Sequence, residues 1–189
     1  MEERKLLNVT QSAMKRGTKL GCFLLIRAIT GAVAIRFQSS ILMLVYVLLT
    51  LCIPFIMWRI YQFFRYEEIE GEVLDLKNTF VYYTLMSFFA VAFSLFFLFI
   101  YLSVIDQGGV IAGFIELLTG VREEFAAISG ETSPVGVFNF SQMIDTAIME
   151  YQKMKSSDLV LNLLPGQIFW GVATSFLLAL ISQINKQEN

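Results

Sequence analysis

The chain has 189 residues, of which 56% are hydrophobic, with a formal net charge of −2 and a mean hydropathy of +0.64. Apolar residues concentrated in blocks are typical of integral membrane proteins, and the charge gives no reason to expect a nucleic-acid partner. The sequence contains no histidine, which excludes Ser-His-Asp and Cys-His catalysis, histidine-ligated metals and axial-histidine haem. Cys22 and Cys52 both lie within apolar runs, so we expect no disulfide framework.

The N-terminal part of the chain combines a polar leader, residues 1–19, with a short apolar run, residues 20–36. The leader is rich in Lys and Arg, which predicts a cytoplasmic position near anionic lipid. The apolar run is short for a membrane span and contains Arg27. Three interpretations stay open: a first span lengthened by the polar turn before it, an interfacial amphipathic helix, or a signal peptide.

Small residues in this region are spaced for close helix packing. Gly17 and Gly21 are four residues apart, as are Ala28 and Ala32. This spacing allows another helix to approach closely, so it favours a packed helix over one that lies alone at the interface.

The second predicted span covers residues 41–64 and starts with an uncharged run, Ile41–Trp58. Pro54 removes a backbone donor and should kink this helix. Aromatic and arginine residues follow the run, which indicates an anchor at the cytoplasmic interface. The acidic segment at 67–78 is interpreted as a solvated loop, the alternative being an acidic patch for a metal or a partner.

The third predicted span, residues 79–105, contains no charge over twenty-seven residues. As a helix it would be roughly 40 Å long, which exceeds the hydrocarbon core of a bilayer at about 30 Å. Residues 107–158 then predict an extramembrane hairpin of two amphipathic helices, at 110–128 and 140–154, with a turn at 130–136. The apolar face of this hairpin is expected to be covered by the membrane surface, by the top of the bundle or by a partner.

The last predicted span covers residues 159–184, with Pro165 near the expected start of the regular helix. The fold class is therefore an all-α integral membrane protein of one domain. Its four-helix transmembrane bundle carries the extramembrane amphipathic hairpin between the third and fourth spans.

The distribution of Lys and Arg bears on the orientation. With four spans and a cytoplasmic N-terminus, nine Lys and Arg lie inside and four outside. If residues 20–36 do not span, the opposite arrangement places ten inside and four outside, so both arrangements obey the positive-inside rule. The Lys and Arg of the long segment 107–158 have little influence on orientation, because the positive-inside rule applies mainly to short loops. This favours the arrangement with four spans.

Several short motifs accompany this order of elements. They are Arg65-Tyr66 at the end of the second span, Val73 to Phe80 before the third, Tyr101 to Asp106 at the end of the third, and Ala179 to Ser182 in the fourth. The chain resembles a domain-of-unknown-function family of small four-helix bacterial inner-membrane proteins. This resemblance implies four spans, both termini in the cytoplasm and no established activity. It also implies a partnership with a membrane-associated glycosyltransferase.

Four residues are candidate contacts for a head group or a partner. Arg27 is an ionisable residue within a span, which marks it as a functional candidate, the alternative being a side chain that snorkels to the interface. Asp106 ends the central helix before two glycines and is interpreted as a turn residue, with a proton or ion role as the alternative. Ile144 and Ile148 belong to the apolar stripe of the predicted hairpin.

These patterns contain no catalytic or metal-ligand spacing, so we expect no enzyme, no metal and no cofactor. The main functional hypothesis is a non-catalytic accessory, scaffolding or stabilising subunit of a larger membrane complex. The alternative is a lipid-binding or small-solute carrier that acts as a homo-oligomer, with Arg27 at an anionic head group.

Overall fold

A computed structural model describes the backbone of residues 2–68, 74–128 and 134–187, and the side chains of residues 10–65, 74–125 and 140–184. The described chain forms six α-helices and no strand, which confirms the predicted all-helical class. The helices are α1 (Glu2–Arg36), α2 (Ser40–Glu68), α3 (Leu76–Ile100), α4 (Gly109–Ile128), α5 (Pro134–Lys153) and α6 (Ser156–Gln187), and α3 continues as a π-helical segment, Tyr101–Asp106.

Four of these helices are long and apolar enough to cross a membrane, as the sequence predicts. The candidate spans are Thr10–Arg36, Ser40–Arg65, Leu76–Asp106 and Ser156–Ile184. The first is longer than the apolar run at 20–36, because α1 continues without a break into the polar leader. A polar turn preceding an apolar run can therefore supply the missing length of a short span.

Some predicted boundaries differ from the observed ones. α5 begins at Pro134, within the turn predicted at 130–136, because proline is tolerated in the first turn of a helix, where its missing N–H costs nothing. Pro165 lies inside α6 and not at its start, so the prediction that it marks the start of the regular helix is wrong. The centre of the predicted acidic loop, residues 69–73, and residues 129–133 of the turn lie outside the described chain.

The helices are arranged around a central pair, α1 and α3, which make the most extensive contact in the structure. α2 packs on α1 and α6 packs on α3, whereas α2 and α6 touch at few points. Gly17 and Gly21 explain the close central pair, because a Cβ atom on Gly17 would lie 2.8 Å from the backbone oxygen of Met86. A Cβ on Gly21 would lie 2.9 Å from the Phe93 ring. The small-residue spacing thus marks a real helix–helix contact.

An aromatic cluster of Tyr61, Phe64, Tyr82 and Tyr83 joins the end of α2 to the start of α3. All four side chains are buried, and the Phe64 ring stacks on the Tyr82 ring with centroids 4.4 Å apart. The Tyr61 ring lies 5.0 Å from the Tyr83 ring, and its hydroxyl is 3.2 Å from the Thr79 hydroxyl. Large rings of this kind supply much of the burial energy of a small core. They hold α2 at this end of the bundle, although its middle has few neighbours.

The close contact of α1 with α3 generates a stability prediction. We expect Gly17→Ala to lower the free energy of unfolding by about 1–3 kcal/mol, since the new methyl group meets backbone and not a flexible side chain. Gly120→Ala in α4 is the matched control, because a Cβ there has nothing within 4 Å. The control should leave the stability unchanged or raise it by up to about 1 kcal/mol. Denaturant titration in mixed micelles measures the free energy of unfolding of both variants. Equal free energies for the two variants would contradict the close contact between α1 and α3.

Candidate functional site

Arg27 lies inside the first candidate span and turns its side chain towards α2. Its Nε donates a hydrogen bond to the Thr50 hydroxyl at 2.8 Å, and its Nη2 donates to the Tyr46 hydroxyl at 2.8 Å. The guanidinium also lies over the Tyr46 ring, 4.8 Å from its centroid, as in a cation–π contact. The Arg27 side chain of α1 is thus held by the Thr50 hydroxyl and by the hydroxyl and ring of Tyr46, both on α2.

The local sequence of α2 and α1 explains this geometry. Tyr46 and Thr50 are one helical turn apart, so both side chains are on the same face of α2. Gly31 follows Arg27 by one turn, and a Cβ atom there would lie 2.8 Å from the Tyr46 ring. The absence of a side chain at Gly31 therefore lets the Tyr46 ring lie against α1 with its hydroxyl next to Arg27.

The charge of Arg27 has no carboxylate partner among the described residues. A guanidinium carries five N–H donors, and the two hydrogen bonds above use two of them. Three donors therefore remain. A cation within a membrane span that is bonded only to neutral hydroxyls is costly unless something else compensates it.

Two adjoining cavities meet at Arg27, one of about 220 Å³ and one of about 480 Å³. Both are lined by Arg27, Tyr46, Leu163 and Gln167, which places them side by side between α2 and α6. Most of the remaining lining is apolar, and the larger volume is in the range of known ligand pockets. An apolar cavity with few convergent polar groups is the usual form of a small-molecule site.

The ends of the two cavities differ. The smaller cavity is bounded by Val110 and Phe114 of α4, next to the last turns of α1. The larger cavity runs the other way along α1 to Leu20, with Met57 of α2 and Thr174 of α6 along its sides. The two cavities therefore form one groove. Arg27 supplies its charge at the place where they meet, and mainly apolar side chains line each cavity.

Asp106 belongs to a different arrangement, at the junction of α3 and α4. Its side chain is buried, and its Oδ2 accepts a hydrogen bond from the Val110 backbone N–H at 2.8 Å. Its Oδ1 accepts a hydrogen bond from Arg36 Nη1 at 3.1 Å, in an ion pair. The Asp106 carboxylate thus caps the N-terminus of α4 and ties it to the end of α1. The interpretation as a turn residue describes the position, but sequence reasoning missed the partner Arg36.

Glycines make room for this junction. Gln107 has φ +51° and Gly108 has φ +93°, so the chain reverses through the left-handed region. A Cβ on Gly109 would lie 2.8 Å from Arg36 Nε, and one on Gly113 would lie 2.6 Å from the Ile35 backbone oxygen. α4 therefore lies directly against the end of α1.

The two isoleucines lie on α5, away from Arg27 and Asp106. Ile144 is 6% exposed and Ile148 is half-buried, so α5 keeps much of its apolar stripe covered. The Phe114 ring stacks on the Tyr151 ring at 5.2 Å, which shows that α4 supplies part of this cover. Among the described side chains of α5, Met143 and Met149 are exposed apolar ones, at 71% and 52%.

The four candidate residues thus occupy three separate places, and the structure adds further residues around Arg27. Tyr46, Thr50 and Gln167 complete its surroundings. Their sequence signal was a polar pair one turn apart on α2 and a glutamine within a span. No group of three or more potential metal-ligating side chains occurs in the described part of the chain.

The junction at Asp106 generates a prediction. We expect Asp106→Ala to lower the free energy of unfolding by about 1–3 kcal/mol, because it leaves a buried N–H and the Arg36 cation without their acceptor. It should also speed limited proteolysis of α4 and α5. The control is Asp145→Ala, which removes a pair with Arg122 whose two side chains are 42% and 48% exposed. That control should cost less than about 1 kcal/mol. Equal sensitivity to protease in the two variants would argue against the junction.

Comparison with known proteins gives a family. No curated protein and no solved structure matches the chain. A family model described as a protein of unknown function (DUF4199) matches residues 17–183, which cover parts of all four candidate spans, from Gly17 in the first to Gln183 in the fourth. The resemblance to a domain-of-unknown-function family is thereby confirmed, and the chain belongs to the DUF4199 family.

Proposed function

We propose that this protein is a non-catalytic accessory subunit that scaffolds or stabilises a larger membrane complex. The observation that carries the proposal is that α4 has a fixed position and that α4 and α5 expose apolar side chains. α4 is fixed to the ends of α1 and α3 by the Asp106 carboxylate, while apolar side chains of both helices stay uncovered. A rigidly placed surface with exposed apolar side chains suits the docking of another protein.

The proposal includes a placement in the membrane. The four candidate spans cross a bacterial inner membrane, both termini are cytoplasmic, and α4 with α5 forms an extramembrane hairpin on the opposite side. The length and apolar character of the four helices support this placement. The excess of nine Lys and Arg over four on the proposed cytoplasmic side supports it as well.

The uncovered apolar side chains define the proposed docking surface. In the described part of the chain they include Leu117 and Val121 on α4 and Met143 and Met149 on α5; Phe125, which is 36% exposed and whose ring centroid lies 4.4 Å from that of Phe140, adjoins them. Methionine adapts its shape to a partner, and aromatic residues are enriched at interface centres. The partner is a membrane protein, and the family resemblance suggests a membrane-associated glycosyltransferase.

A crosslinking experiment tests this role. A photo-reactive amino acid at Met143 is expected to crosslink to one membrane protein in native membranes. The same amino acid at Leu51, 68% exposed on α2, is the control and is expected to meet lipid. Crosslinks from position 143 that reach only lipid or another copy of this chain would refute the accessory role.

A pair of variants gives the matching affinity measurement. We expect Met143→Ser with Met149→Ser to reduce co-purification of the crosslinked protein at least about tenfold, because exposed contacts are lost while the fold remains. Ile144→Ser is a different probe, since its buried side chain supports the α5 packing itself. Undiminished co-purification with the methionine variant would place the partner elsewhere on the molecule.

A second candidate function is the binding of a lipid or small solute by a homo-oligomeric carrier. The specific observation that favours it is the groove at Arg27, where a cation with no carboxylate partner in the described chain meets two mainly apolar cavities.

A further inference from the structure

We propose that the groove between α2 and α6 binds one anionic amphiphile. Its carboxylate or phosphate head lies on Arg27, and its acyl chain fills the larger cavity. This inference rests on the proposed insertion of the four candidate spans in a membrane, and it names the ligand class of the second candidate function.

The charge of the site selects an anion. Arg27 is bonded to the Tyr46 and Thr50 hydroxyls and to no carboxylate in the described chain, and three of its N–H donors remain. Arginine binds carboxylate and phosphate through paired N–H donors, and such charge-assisted bonds strengthen away from water. An anion at this point would compensate the charge of Arg27, which has no carboxylate partner among the described residues.

Neutral donors adjoin the cation. The Tyr46 hydroxyl accepts from Arg27 Nη2, which leaves its own O–H to donate to an anion. Gln167 lines both cavities, and its side chain makes no hydrogen bond within the described residues. Its amide therefore borders the groove. A guanidinium, a hydroxyl and an amide together match the oxygens of one acidic head group.

The larger cavity suits an acyl chain. It extends along α1 from Arg27 to Leu20, a distance of about 10 Å for seven helical residues. Its lining there is mainly apolar, with Leu24 on α1, Ile53 on α2 and Val91 on α3, and it also includes the hydroxyl residues Ser87 and Thr174. Each methylene group removed from water in such a cavity contributes about 0.8 kcal/mol, but a chain already in lipid gains mainly from close packing. The head group, and not the chain, therefore decides which lipid is bound.

The groove is reached from the side, between two helices that scarcely touch. α2 and α6 make few contacts, and small residues line this part of the groove. A Cβ atom on Gly166 has nothing within 4 Å, so the space beside α6 is open at that point. Trp170, one turn further along α6, also lines the larger cavity. A lipid in the bilayer could enter here without crossing the packed α1–α3 interface.

Trp170 provides a direct reporter of the ligand. The chain has two tryptophans, Trp58 and Trp170. Trp58→Phe leaves Trp170 as the single tryptophan, which can be excited selectively at wavelengths where tyrosine does not absorb, and it removes no hydrogen bond, because the Trp58 indole nitrogen has no partner in the described chain. Bromine atoms quench tryptophan at short range. In maltoside micelles, dibromostearate is expected to quench Trp170 saturably in the Trp58→Phe protein.

The charge of Arg27 is tested in the same background. Arg27→Gln should raise the apparent Kd for dibromostearate at least about tenfold. Arg59→Gln is the matched control, since Arg59 is an exposed arginine on α2 that does not line the groove, and it should leave the Kd unchanged. Quenching that is linear in the brominated probe and identical in the three proteins would overturn the proposal.

Two further probes distinguish the source of the head group. Brominated phosphatidylglycerol carries an anionic phosphate, and brominated phosphatidylcholine is zwitterionic. Saturable quenching by dibromostearate alone identifies a free fatty acid as the ligand, and saturable quenching by phosphatidylglycerol identifies an anionic lipid. Equal quenching by phosphatidylcholine and the anionic probes would overturn the proposal, because charge would then select nothing.

A second variant keeps the test decisive if Arg27→Gln does not fold. Gly166→Phe fills the open space beside α6 and leaves Arg27 in place. We expect it to abolish saturable quenching while the thermal unfolding temperature and the elution volume stay those of the parent. Unchanged quenching in a folded Gly166→Phe protein would overturn the proposed position of the chain. Since no partner is present in these measurements, their failure is separate from failure of the crosslink at Met143.

Discussion

The contact between α1 and α3 determines the rest of the architecture. Gly17 and Gly21 lie so close to α3 that even a methyl group would meet its backbone or a ring. In a lipid environment there is little hydrophobic driving force between helices, so close packing of this kind decides which helices pair. Once α1 and α3 are paired, α2 and α6 occupy positions on either side, and the groove at Arg27 is the space left between them.

The two ends of the bundle are closed by different chemistry. Large buried rings, with Tyr61 and Tyr82 among them, hold α2 to α3 at one end. At the other end the Asp106 carboxylate joins Arg36 and the first turn of α4. The burial of apolar ring surface is non-directional, whereas a capped ion pair fixes one orientation. The Asp106 carboxylate therefore fixes the orientation of α4 relative to the ends of α1 and α3.

The sequence predicted the elements better than their contacts. Uncharged runs such as residues 79–105 identify spans, because the thickness of the bilayer sets their length. The spacing of Gly17 and Gly21 predicted close packing, and the structure adds that α3 is the neighbour. The partner of Asp106 could not be predicted, since Arg36 is seventy positions away and nothing local links them. For the same reason Arg27 was identified as a candidate, but its contacts on α2 were not.

Helix α4 connects the two regions for which functions are proposed. Its first turns, at Val110 and Phe114, bound the smaller cavity beside Arg27. The same helix packs on α5 through the Phe114 and Tyr151 rings and carries part of the exposed apolar surface. A displacement of α4 would therefore change the shape of the smaller cavity, next to the position proposed for the head group at Arg27. In the two proposals the docked protein contacts α4 itself and the head group at Arg27 lies beside the cavity that α4 bounds, and any coupling between two such sites is reciprocal.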